Sequence, residues 1–329
     1  MSDKVRTITN NRKLDNIFIN FPLWFPLLYI FITTNFPSSS KILFISSLFL
    51  FAETHFASTW LFFFDNKNWG WIKKNYYKII FIPSYLLFLV IVIWFFSPSL
   101  IIILHYLASG WHVTKQSIGI LKINQITKKY YSFTINIISF LCLFFGLLNP
   151  GIISATLTVI QLNTIILFCS IVYIWVLFQD TAKGPIKYLP NLMPLITGIL
   201  IYLPLLFFKN LAVATAVGVG MHWCQYIAIM WSIELRKNRK KSKKNNFSSI
   251  FKKSISSKLI FIFTYSIVMT TCVLLGMPEV NEENVDYSLI YLLPLLFQFF
   301  HFYIDGFIWK FSDPHIRENV MSNLFTNVG

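Results

Sequence analysis

The chain carries six histidines: His55, His105, His112, His222, His301 and His315. Five of them, all but His315, sit inside long apolar runs, where an ionisable side chain is costly and tends to be functional. His55 lies ten residues before Asp65, His112 ten before Lys122, His301 nine before Lys310 and His222 twelve before Glu234. At about 1.5 Å of rise per helical residue, these four imidazoles stand at a similar depth, roughly 15 Å inside the charged ends of their segments. His105 precedes His112 by seven residues, two helical turns, and shares its face about 10 Å further out. Four helices could then present one imidazole each to a common point, with His105 as a fifth.

Polar residues accompany these histidines at helical spacing. His112 and Gln116, and His301 and Asp305, are four apart, and His222 and Gln225 are three apart. Those spacings put both side chains on one helix face. A metal-bound imidazole usually gives its other N–H to a carboxylate or carbonyl, a role that suits Gln116, Gln225 and Asp305. Asp305 is also a ligand in its own right. A site of imidazoles with one or two carboxylates suits iron, with zinc or copper as other occupants. The expected metal ligands are His55, His105, His112, His222 and His301, and the count is one or two ions. Glu53, two residues from His55, points about 200° away from it on a helix. It either faces a second metal or forms a buried ion pair with Lys115. Lys115, just beyond His112, could alternatively hold an anionic head group. Gln179 and Asp180 read as an interfacial cap, and His315, past the last apolar run, as a solvated tail residue. A proton pathway and scattered structural histidines are the other readings of the same residues.

The elements that must position these side chains follow from composition. The chain has 329 residues, 56% hydrophobic and only 12% charged, with 35 Phe against 12 Gly. Ordinary soluble domains carry roughly 45–50% apolar and about 25% charged residues. That excludes a cytosolic globular enzyme, a disordered chain and a secreted disulfide scaffold. Ten segments are apolar over about the 20 residues that a spanning helix needs: 17–36, 42–64, 79–97, 99–121, 131–149, 152–178, 189–208, 211–233, 259–277 and 287–309. The expected fold is all-α, a polytopic bundle of about ten spans. Minimal turns at Ser97-Pro98-Ser99, Asn149-Pro150-Gly151 and Lys209-Asn210 predict antiparallel hairpins. The division is an N-terminal segment 1–16, one membrane domain 17–311 with a flexible basic loop at 236–258, and a tail 312–329. No small-residue cleavage site follows the first apolar run, which is expected to stay as an anchor. The four cysteines, Cys142, Cys169, Cys224 and Cys272, each stand alone in apolar sequence and read as packing residues.

The formal net charge is +15, but its placement argues against nucleic acid. Ten of the 28 Lys and Arg lie between Arg236 and Lys258, and the rest flank apolar runs. No zinc-finger spacing or RNA-binding aromatic motif accompanies them. With ten spans, 26 of the 28 basic residues fall on one side and only Lys41 and Lys209 on the other. The positive-inside rule then places both termini in the cytoplasm, in a bacterial inner membrane. The stretch with Glu279, Glu282, Glu283 and Asp286 falls outside.

Histidines held at one level by several membrane helices resemble the membrane-bound non-haem iron oxygenases. Fatty-acid hydroxylases and desaturases carry HxxxH and HxxHH boxes, which this chain lacks. Bacterial carotenoid-cleaving dioxygenases of the Brp/Blh kind are polytopic and spread single histidines over several helices. The His301-x-x-x-Asp305 spacing resembles their PHxxxD segment. The resemblance implies an O2-dependent oxidoreductase of lipid metabolism. Its substrate is an apolar lipid or isoprenoid, and its partners are membrane lipid and an electron donor. Two other functions stay open: a proton-coupled carrier with the histidines as relay, and a bis-histidine haem protein. There is no GxSxG elbow, Walker loop, GxGxxG or HExxH motif.

Orientation is directly measurable. Reporter fusions after Lys129 and at the C-terminus are expected to read cytoplasmic, and a fusion within 279–286 external. A cytoplasmic signal at Glu282 would mean that the span count is wrong.

Overall fold

The computed structural model describes residues 7–153, 157–178, 189–245, 248–277 and 288–325. It is all helix, with no strand among the described residues. The acidic 279–286 stretch, Gln179 and Asp180 lie outside the described residues. We number the main helices α1 (Arg12–Asn20), α2 (Trp24–Asn35), α3 (Pro37–Phe62), α4 (Asn66–Lys74), α5 (Tyr77–Phe96), α6 (Pro98–Ile123), α7 (Lys129–Leu148), α8 (Val159–Phe178), α9 (Leu189–Leu200), α10 (Leu211–Asn245), α11 (Ser248–Gly276), α12 (Leu289–Ile308) and α13 (Pro314–Asn319).

Each of the ten apolar segments holds helix, but not all of them qualify as spans. Seven helices are long and apolar enough to cross a membrane, and the pair α1 and α2, bent by 58°, makes up to eight. Two expected segments fall outside this set. α6 is long enough, but Lys115, Lys122 and its two histidines lower its hydropathy. The 189–208 segment contains only the short apolar stretch Leu192–Leu206.

The chain divides into two compact units. The first comprises 52–109 and 229–329 of the described residues, the second 7–51 and 110–228. In the first unit, Phe56 and Leu61 of α3 pack with Ile262, Tyr265 and Met269 of α11. Trp94 and Ile101 pack with Leu292 and Leu295 of α12. In the second unit, Phe21 packs with Tyr173, Val176 and Met193, and Leu121 with Ile126 and Ile135.

Sequence-local causes set the helix ends. Ser97 is extended after α5, and Pro98 opens α6, where its missing N–H costs nothing. After α7, Gly151 takes φ 72°, a left-handed conformation that glycine adopts without strain. Its N–H then reaches the Leu205 carbonyl at 3.2 Å. On α10, a Cβ at Gly218 would lie 2.0 Å from the Ile201 carbonyl oxygen, so glycine is what lets the two backbones approach.

The break between α1 and α2 is built at Phe21-Pro22. Pro22 cannot donate and restricts the residue before it. The carbonyls freed there are taken by side chains. Gln225 Nε2 donates to the Ile19 carbonyl at 2.6 Å, and Thr197 Oγ1 to the Asn20 carbonyl at 2.8 Å. Asn20 Nδ2 donates to Asn16 at 2.9 Å and Asn124 Nδ2 to Asn20 at 3.0 Å.

Two sequence expectations are corrected in the first unit. The basic stretch 236–258 is helical up to Asn245 and again from Ser248, because Lys and Arg are good helix formers. Its ends are tied down: Lys237 pairs with Asp65 at 3.3 Å, and Lys258 bonds Glu234, which also accepts from Asn238 Nδ2 at 2.7 Å. Arg236 donates to the Asn323 and Leu324 carbonyls at 2.8 and 2.7 Å, fastening the tail. His315 is likewise not a solvated residue. Asp313 caps α13, His315 stacks on Trp71 with centroids 5.6 Å apart, and its Nε2 lies 2.9 Å from Asn68 Oδ1. Burial holds this imidazole below its usual pKa, against the pull of Asp313.

Candidate functional site

In the first unit, α3 and α12 build a buried polar cluster. His55 and Thr59 are one turn apart on α3, while Gln298, His301 and Asp305 form a stripe down α12 at spacings of three and four residues. His55 and His301 meet with ring centroids 4.4 Å apart at 74°. Both are 1% exposed, Asp305 2% and Thr59 0%. Groups buried this completely must be satisfied internally or by a ligand, because hydrocarbon offers no partner.

The His301 ring is anchored by α3. Its Nδ1 is 2.6 Å from Thr59 Oγ1, and Thr59 Oγ1 donates to Asp305 Oδ1 at 3.4 Å. Thr59 Oγ1 thus stands between the His301 ring and the Asp305 carboxylate, and the tautomer of His301 sets which of the two its hydroxyl serves. Nε2 lies 3.8 Å from Asp305 Oδ2. An ion about 2.1 Å from a nitrogen and an oxygen holds them about 3 to 4 Å apart, so this separation fits a shared metal. Phe56 and Phe302 flank the His301 ring at 5.0 and 5.7 Å and keep that edge apolar.

His105 of α6 and Glu53 of α3 also belong to this unit, but not to the His55–His301 pair. Glu53 is 1% exposed and accepts from Gln298 Nε2 at 3.3 Å. His105 bonds the same Gln298 side chain and sits between Phe299 and Phe302.

The second unit holds the other two expected ligands. His112 of α6 and His222 of α10 approach with centroids 5.7 Å apart at 87°, and are 5% and 1% exposed. One ring nitrogen of each lies within 4.8 Å of the other. α10 is the most enclosed of the seven apolar helices, with 78% of its apolar stretch buried, and His222 faces protein rather than lipid. The residues expected beside these histidines divide. Gln225 spends its amide N–H on the broken helix at Ile19, a structural bond that sequence spacing could not anticipate. Gln116 is half-buried one turn after His112. Lys115 is exposed and stacks on Trp111 with its ammonium 4.1 Å from the ring centroid, off the buried face that carries His112.

Buried histidines and a carboxylate of this kind could hold a metal ion. Two residues central to the geometry, Thr59 and Gln298, were not singled out from sequence. The signal was there: Thr59 is four residues after His55, and Gln298 three before His301. No family model matches the chain, and no curated protein or solved structure matches it either.

Thr59 offers a clean test of this anchoring. Thr59→Val keeps the shape but removes the hydroxyl that holds His301 Nδ1. Losing such a partner typically costs about 10–100-fold in metal affinity. Metal titration of the purified variant is expected to read that loss at unchanged helicity. Wild-type affinity would show that His301 is not held as a ligand.

Proposed function

We propose that this protein is a membrane-embedded, histidine-ligated iron enzyme: an oxygenase, hydroxylase or desaturase of an apolar lipid or isoprenoid. The observation that carries the reading is the His55–His301–Asp305 cluster, fully buried in a chain rich in long apolar helices. Buried ionisable groups in membrane helices are expensive, and three of them clustered are costly without a ligand. The proposal includes ten spans with both termini cytoplasmic, on the 26-to-2 division of basic residues, in a bacterial inner membrane. It also includes kinship in chemistry with the membrane non-haem iron oxygenases.

Iron would supply O2 activation and oxidation of a C–H or C=C bond. The chain's own residues do the rest. Thr59 bonds His301 Nδ1 and fixes the ring with its Nε2 edge towards Asp305, whose carboxylate balances positive charge. Phe56 and Phe302 exclude water from the imidazole edge, and an apolar chain finds matching walls of Phe and Leu. Electrons come from a donor on the cytoplasmic side, where the basic surface favours an acidic partner.

A second reading is favoured by one observation, the 58° break between α1 and α2. Broken helices line binding sites in transporters, so a proton-coupled carrier with the histidines as relay is the alternative.

Expression of wild type, Asp305→Asn and empty vector in one host separates the two. Oxygenated lipids are expected in wild type and at roughly 10–100-fold lower yield with Asp305→Asn, which keeps its shape but weakens the acceptor. Identical lipid profiles across fatty-acid and isoprenoid pools, together with metal-independent and pH-dependent flux, would overturn the enzyme in favour of the carrier.

A further inference from the structure

A second polar group lies in the first unit, away from the Thr59–Asp305 bonds. Glu53 of α3, Gln298 of α12 and His105 of α6 form a short chain. Gln298 Nε2 donates to Glu53 Oε1 at 3.3 Å, and the Gln298 side chain bonds His105. One atom at each end is left over. Glu53 Oε2 and His105 Nε2 are both buried with no hydrogen-bond partner. Among the described residues Glu53 makes no ion pair, and its one bond is a long one from a neutral amide.

The energetics of that arrangement ask for an occupant. Glu53 is 1% exposed on an apolar helix, where an isolated carboxylate is strongly disfavoured. A buried polar group left without a partner costs about 1–3 kcal/mol, and a charged one more. Two lone-pair atoms, one on α3 and one on α6, share one bracing amide on α12 and can receive something electron-poor. A hydroxyl would satisfy one of the two and leave the other unpartnered. An alkali cation would not take an imidazole nitrogen. A first-row divalent ion takes both, because imidazole and carboxylate together suit iron and zinc.

We propose that Glu53 and His105 are ligands of a second divalent-metal site, with Gln298 as the residue that positions both. Gln298 holds Oε1 of Glu53 through its amide nitrogen and one edge of His105, leaving Glu53 Oε2 and His105 Nε2 for the ion. Phe299 and Phe302, with ring centroids 5.8 and 5.5 Å from His105, close the site on one side and restrict the ligands that complete it. This deepens the metal-enzyme reading by giving the second of two ions its place, and it does not require that the His301 cluster bind the first.

The test uses full-length protein stripped with a chelator and titrated with Co2+ as the probe. Wild type is expected to bind at least one equivalent more than Glu53→Gln and than His105→Asn, each variant retaining the equivalent that His301→Ala loses. Glu53→Gln and His105→Asn binding as many equivalents as wild type overturns the second site and leaves the first reading standing. Loss with Glu53→Gln and none with His301→Ala does the reverse. A measurement on wild type alone guards against misfolded variants. A hydrophobic carbodiimide labels buried carboxylates, and mass spectrometry reads the Glu53 peptide. Saturating Co2+ is expected to slow its labelling at least tenfold, and unchanged labelling overturns the site.

Discussion

A polar atom buried among apolar helices has no water to fall back on. That constraint explains the side-chain bonding throughout this chain. Where the first helix breaks at Phe21-Pro22, the exposed carbonyls of Ile19 and Asn20 are taken by Gln225 and Thr197. Asn35 and Asn163 exchange two amide bonds of 2.8 and 2.7 Å between α2 and α8. Serines and threonines bond back to the carbonyl four residues earlier, as Ser47, Ser117 and Thr215 do. Against this habit of satisfaction, buried imidazoles and carboxylates stand out as the groups whose cost needs a function.

Much of the architecture was legible because the physics that writes it is local. Apolar runs of about 20 residues with Pro and Gly punctuation placed helix in all ten segments. The same reading overlooked what depends on partners distant in sequence. The basic 236–258 stretch looks like a loop by charge, yet Asp65, Glu234 and the tail carbonyls hold its ends. His315 looks like tail solvent, yet Asn68 and Trp71 take it up from some 245 residues earlier in sequence. The 58° bend was hidden in an unbroken hydropathy profile, since Phe21-Pro22 is as apolar as its neighbours.

The site divides along the same line. Depth along each helix brought out His55, His112, His222 and His301, because rise per residue is fixed. The i,i+4 rule found Asp305, which does lie beside His301. Rotation about the helix axis and the choice of neighbour were not legible. Gln225 has the spacing of a histidine partner but serves the broken helix instead. Lys115 has the spacing of a head-group ligand but lies exposed over Trp111. Glu53 was found as a carboxylate out of place, while Gln298, the amide that joins it to His105, carried no charge to draw notice.

The central claim is that buried imidazoles ligate iron. X-ray absorption at the iron edge of anaerobically loaded, gel-filtered protein tests it most directly. The account predicts bound iron whose spectrum carries the multiple-scattering pattern of imidazole ligands, weakened in His301→Ala. Protein that elutes free of iron, or iron surrounded only by oxygen donors, would contradict it.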